Sequence, residues 1–182
     1  RALAAEPDLI LCDEVTSALD TVVAAAILDL LKELQRELGV SFMFISHDIT
    51  TLRAVCDQII VLYAGQKVEE GSRKNFAAPP FHPYTNLLIN SVPELEQGWL
   101  ERKKPIHHTI AANADGQQLC GFLDRCSMRI EGKCDKQSPP WVALSQGSEV
   151  SCHLSGEELK RLQQHSSKTP ILESSSLNSE GA

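Results

Sequence analysis

Three short apolar runs, residues 8–15, 40–46 and 57–63, have the length and residue types of β-strands. Between the first two, residues 21–38 carry Ile27, Leu31, Leu34 and Leu38 at helical spacing, and Gly39 supplies a C-terminal stop. Residues 48–56 form a second, shorter helix candidate. Strand, helix, strand, helix, strand predicts an α/β fold, a parallel sheet with crossover helices. Ala64-Gly65-Gln66 reads as the turn of a hairpin joining residues 59–63 to 67–70, an antiparallel edge that closes the sheet.

Beyond the hairpin the pattern changes. Pro79, Pro80 and Pro83 interrupt the chain, residues 84–92 form a short amphipathic helix that Pro93 ends, and residues 94–118 read as a linker. Residues 119–154 hold four of the six cysteines. A short helix is expected after residue 155, and from Ser166 onward the Ser-rich, aromatic-free sequence predicts a disordered tail. The segments expected are therefore 1–74, 75–118, 119–154 and 155–182.

Composition narrows the classes. The 182 residues carry a formal charge of −7, with 42% hydrophobic residues. Residues 1–98 hold 7 basic and 14 acidic groups and residues 99–182 hold 10 of each, so the net negative charge sits in the first half. An acidic chain with no clustered basic face argues against nucleic-acid binding. The longest apolar stretches, at Leu9 and Ile59, fall far short of the ~20 residues that cross a bilayer. The opening Arg1-Ala2-Leu3-Ala4-Ala5, apolar with no leading polar cap and no secretory signal pattern, predicts a piece of a longer protein.

The chemistry gathers at the strand ends. Leu9-Ile10-Leu11-Cys12-Asp13-Glu14 is a strand delivering two adjacent carboxylates to the carboxyl edge of a parallel sheet, where open α/β sheets bind ligands. Successive residues point to opposite sides, so the two carboxylates take different tasks. One suits Mg²⁺, a hard cation that prefers oxygen ligands, and the other suits a general base facing water. Ser17-Ala18-Leu19-Asp20 follows, with Asp20 set as the N-cap of the long helix. The next strand ends in Ser46-His47-Asp48, so His47 emerges at the same edge, able to donate to a phosphate oxygen or a water.

This ordered set resembles the nucleotide-binding subunits of ABC transporters over roughly residues 1–95. LILCDE is similar to the Walker B strand with its catalytic glutamate, SALD to the D-loop, and ISHD to the switch-histidine loop. The resemblance implies the C-terminal part of a P-loop ABC-type domain that uses ATP and Mg²⁺. Glu14 would polarise the water, His47 would sense the γ-phosphate, Asp13 would organise Mg²⁺, and Ser17 and Asp20 would serve the D-loop across a nucleotide-sandwich dimer. Val15-Thr16 departs from the Pro-Thr more usual there. No GxxxxGK[ST] phosphate loop and no LSGGQ signature occur in the 182 residues, so this chain alone is expected not to hydrolyse ATP.

Residues 75–93, with His82-Pro83-Tyr84-Thr85 as a helix start, are similar to the C-terminal extension on ATPase subunits of oligopeptide and dipeptide importers, including nickel-type relatives. The spacing Cys120-x5-Cys126-x7-Cys134-x17-Cys152 leaves three readings open: a [4Fe–4S] cluster, a zinc ion, or unligated thiols. Arg125, Arg129, Lys133 and Lys136 are expected to favour thiolate there. Cys12 and Cys56 read as small buried hydrophobes. The family implies transmembrane permeases, a second ATP-binding subunit and a solute-binding protein as partners, and a peripheral position on the cytoplasmic face of the membrane. The rival readings are a non-catalytic metal-binding remnant and a soluble ABC-type ATPase unconnected with transport.

Overall fold

A computed structural model describes residues 2–17, 19–91 and 119–166. The linker expected over residues 94–118, Pro93 and the tail beyond Ser166 lie outside the described residues.

Strands β1 (Leu9–Asp13) and β2 (Ser41–Ile45) pair in parallel from Leu9↔Ser41 to Asp13↔Ile45, joined by helix α1 (Thr21–Leu38). The helix starts where a side chain can satisfy its first amides: Asp20 accepts from Val22 N–H and Val23 N–H, each at 3.0 Å. It stops at Gly39, whose φ of 68° is a left-handed conformation open to glycine and whose N–H donates to the Gln35 carbonyl. Helix α2 (Ile49–Val55) starts the same way, on Asp48. Both helices, and the two caps expected for α1, agree with the sequence reading.

The third strand does not join this parallel pair. β3 (Gln58–Tyr63) and β4 (Gln66–Ser72) form an antiparallel hairpin, and the four-stranded sheet runs β3-β4-β6-β5, taking in β5 (Trp141–Ala143) and β6 (Glu149–Ser151). The expectation of one parallel sheet closed by a hairpin is thus corrected to two sheets. QIIVLY is apolar almost throughout and resembles a strand buried on both faces, yet only Ile59, Val61 and Tyr63 are buried, while Ile60 and Leu62 are exposed. The turn reinforces the choice. Ala64 and Gly65 have φ of 48° and 77°, the positive pair of a two-residue hairpin turn whose twist matches antiparallel strands.

Helix α3 (Pro83–Ile89) begins with Pro near its first position, where the missing N–H costs nothing. Helix α4 (Gly156–Ser166) begins with a reciprocal cap: the Ser155 N–H donates to Glu158 Oε2 at 2.8 Å, and the Glu158 N–H donates to Ser155 Oγ at 3.3 Å. Gln163 on α4 exchanges two hydrogen bonds with the backbone of Phe81, at 2.9 and 2.7 Å, and so ties α4 to the approach to α3.

The core has two parts. Ile49, Ile59, Val61, Tyr63, Val68, Phe76, Phe81 and Phe122 pack as one cluster, with Cys120 and Cys126 against it. Leu144, Val150, Leu154 and Leu159 form the other, with Cys152 against it. The cysteine segment is therefore seated between two apolar clusters, and its strands continue the sheet begun by the hairpin.

Candidate functional site

Two sites emerge. At the carboxyl edge of the parallel pair, the in-register ends of β1 and β2 bring Glu14 and His47 together, with Glu14 Oε1 3.1 Å from His47 Nδ1. An ionised carboxylate only accepts hydrogen bonds, so the proton belongs on Nδ1 and Nε2 is left as the nitrogen available to a ligand. The backbone serves this contact. Glu14 has a φ of 46°, unusual for a residue with a Cβ, and its N–H donates to the Ile45 carbonyl at 2.9 Å. Its carbonyl accepts from both Ser17 Oγ, at 2.9 Å, and the Ser17 N–H, at 3.1 Å. Ser17 therefore acts on the turn that holds Glu14.

Both side chains of the pair are open, 52% and 77% exposed for Glu14 and His47. Asp13 is exposed at the end of β1, on the opposite side of the strand from buried Cys12. Asp20 is engaged in capping α1. Asp48, which the sequence joins to His47 in one motif, caps α2. Partial burial would raise its carboxyl, but hydrogen bonds from Thr51 and Thr50 outweigh this and hold it below the usual range.

The second site is a cavity lined by all four clustered cysteines, Cys120, Cys126, Cys134 and Cys152, together with His82 and Phe122. Each sulfur faces a backbone donor. The N–H of Phe122 points to Cys120, that of Met128 to Cys126, and those of Leu154 and His153 to Cys152, while the Ile130 N–H lies 3.3 Å from Cys134 Sγ. Burial nonetheless dominates: it pushes Cys126 up to about 12 and Cys152 up to about 11, and raises Cys120 as well. This corrects the expected effect of the basic neighbours. Burial, not Arg125, Arg129, Lys133 or Lys136, sets these thiols, and the Arg125 guanidinium stacks instead over the rings of Tyr63 and Phe122. Among the described residues no group of three or more His, Cys, Asp or Glu side chains is arranged to hold a metal ion.

Beside the cavity lies a buried polar pair that sequence reading passed over. Glu69 on β4 is 1% exposed and accepts the His82 N–H at 2.9 Å. Burial raises its carboxyl from 4.5 to about 7. His82 is also 1% exposed, and burial lowers its imidazole from 6.5 to about 4. His82 was legible as part of a helix start, but the strand alternation that buries Glu69 is displaced by an irregularity in register between Val61 and Leu62. Among the described residues no helix is long and apolar enough to cross a membrane.

A parallel βαβ unit with a carboxylate and a histidine at its carboxyl edge, followed by a cysteine-bearing extension, has the features of an ABC-type ATP-binding subunit. Residues 68–134 match the family described as oligopeptide/dipeptide transporter, C-terminal region. The chain is 38% identical over 154 residues to a peptide import ATP-binding protein of Brucella abortus (strain 2308), covering 85% of this chain and 45% of that protein. It is 36% identical over 154 residues to a peptide ABC transporter ATP-binding protein of Sinorhizobium fredii, covering 85% of this chain and 43% of that one. The chain thus spans about half the length of the curated relatives it matches. It is therefore similar to part of the ATP-binding proteins of peptide transporters, and its residues 68–134 to the C-terminal region of oligopeptide/dipeptide transporters.

Proposed function

We propose that the whole protein is the ATP-hydrolysing subunit of an importer of oligopeptides, dipeptides or a related small solute such as nickel, and that this chain supplies its water-activating and phosphate-sensing residues. The observation that carries the reading is the 3.1 Å contact between Glu14 and His47 at the ends of adjacent parallel strands. Glu14 takes a proton from the attacking water, and its contact with His47 orients the imidazole, which senses the γ-phosphate by donating from Nε2 when both ring nitrogens carry protons. Mg²⁺, when bound, neutralises charge on the phosphates, and Asp13, exposed at the same edge, is the residue here to organise it. Asp20 and Ser17 fix the loop that meets a second ATP-binding subunit. Permeases and a solute-binding protein complete the importer, and the subunit sits peripherally at the cytoplasmic face of the membrane.

The four cysteines are the ligand set of a [4Fe–4S] cluster in this reading. Support comes from the chemistry of the donors: four sulfurs on one cavity, each facing a backbone N–H, suit an anionic cluster. A single zinc at ~2.3 Å from each sulfur would need them closer together than a polynuclear cluster does, which makes zinc the second choice.

The test of the ATPase reading is Glu14→Gln in the full-length subunit with its permeases. Steady-state ATP hydrolysis should fall by about 10²–10⁴-fold with nucleotide binding retained, the range for losing a general base. Unchanged turnover would remove Glu14 from the chemistry and favour the non-catalytic reading.

A further inference from the structure

We infer that His82 is a positioning residue for the four-thiol cavity, its ring holding the Ser151 carbonyl and thereby setting where the next residue, Cys152, presents its sulfur. The inference rests on the reading of the four cysteines as a ligand set.

His82 uses every polar group it has. Its backbone N–H donates to Glu69 Oε2 at 2.9 Å, and its Nδ1 accepts the Tyr84 N–H at 3.1 Å, capping α3. With Nδ1 an acceptor, the ring proton is on Nε2, and this N–H donates to the Ser151 carbonyl. A helix cap alone needs only one short acceptor, and Ser or Asp would serve. The distinctive property of imidazole here is its second nitrogen, which reaches from α3 across to β6. The residue before Ser151, Val150, is itself paired with Glu69, so Glu69 braces both the strand carrying Ser151 and the backbone of His82. The ring also borders the cavity, with its centroid 6.2 Å from that of Phe122. Groups behind the ligands fix ligand orientation, and their loss typically costs 10–100-fold in metal affinity.

Two substitutions separate this role from capping. In His82→Gln the amide nitrogen stands near the place of Nε2 and keeps the bond to Ser151 but gives up the cap. In His82→Asn the amide oxygen stands near the place of Nδ1 and keeps the cap but gives up Ser151. Full chains purified without oxygen would be loaded with equal amounts of ferric and ferrous iron plus sulfide, the mixed valence of the cluster, and the bleaching of their visible absorption timed in excess iron chelator. The Asn chain should release iron about 10-fold faster than wild type, with the Gln chain within about twofold of wild type. Glu69→Leu, which removes the acceptor for the His82 N–H, should also speed release, and Glu69→Gln, which keeps one, should not; this pair decides the matter if the Asn chain does not fold. A wild-type rate in the Asn chain, or a Gln chain as labile as the Asn chain, overturns the positioning role. A wild-type chain that takes up no iron overturns the four-thiol reading beneath it, a failure recognisable because no chain is then coloured.

Discussion

The two halves of this chain solve burial differently. Around the cysteines, Phe76, Val150 and Leu159 are wholly buried, and even Glu69 and His82 are sealed in. In the βαβ half the buried apolar side chains are few, Cys12, Leu28 and Val40, while Leu9, Leu11, Met43 and Ile45 form an exposed apolar face along one side of β1 and β2. Parallel strands are ordinarily covered on both faces, because their crossover connections bring helices to each side. The reactive pair Glu14 and His47 lies on the half that is open. The elements expected to organise nucleotide therefore depend on neighbours for burial, whereas the thiol cavity is enclosed by the chain's own folding.

The largest test of the contrast is a deletion in the closed half. Phe76 is fully buried and stacks with Phe81 at 6.5 Å, so Phe76→Ala should lower unfolding stability by about 3–5 kcal/mol. Urea denaturation followed by tryptophan fluorescence measures it. A cost under about 1 kcal/mol would mean that this half is not the closed core that the burial implies.

A somewhat smaller effect should come from Glu69. Its carboxyl titrates at about 7 in the fold against an ordinary 4.5, so the fold binds the proton more tightly than the unfolded chain does. The contribution is fully present below about 4.5 and is lost as pH rises through about 7, on the order of 3 kcal/mol in all. His82, the titratable group packed against it, acts in the other sense: its contribution is present above about 6.5 and lost as pH falls through about 4. The two slopes offset each other up to about 6.5, so wild-type urea midpoints should change little from pH 5 to about 6.5 and fall between about 6.5 and 7, whereas in Glu69→Gln, which keeps an acceptor for the His82 N–H, they should rise from pH 5 to about 6.5 and then level. An unaltered slope in the variant would assign the pH dependence to other groups.

Legibility follows the same division. In the open half, local signals carried the structure: Asp20, the periodic leucines and Gly39 delimit α1, and equal strand ends make it predictable that Glu14 and His47 share an edge. In the closed half the decisive contacts are distant in sequence. Nothing near Glu69 announces that Val150 will pair with it, so the joining of the hairpin to the cysteine segment and the burial of a glutamate were both invisible. The thiols failed to read for a related reason. Arg125 and Lys133 are close along the chain, but a side chain's effect on a sulfur depends on where it ends, and Arg125 ends on aromatic rings.

The smallest effect is the most informative about the open half. Leu11 on β1 is 64% exposed and faces the same side as Met43, its partner across the strand pair. In this chain Leu11→Thr exchanges one exposed strand residue for another with good β-propensity, and stability should change by no more than about 0.5 kcal/mol. The relatives are about twice as long as the chain, and the proposed function requires a phosphate loop that these 182 residues lack. If further residues of the full protein cover the β1–β2 face, the same substitution there removes a buried leucine and introduces a hydroxyl, at a cost of about 2 kcal/mol or more. Chemical denaturation of both forms, each with and without the substitution, makes the comparison. A cost that stays near zero in the full protein would leave this apolar face uncovered and would separate the Glu14–His47 edge from the rest of an ATPase core.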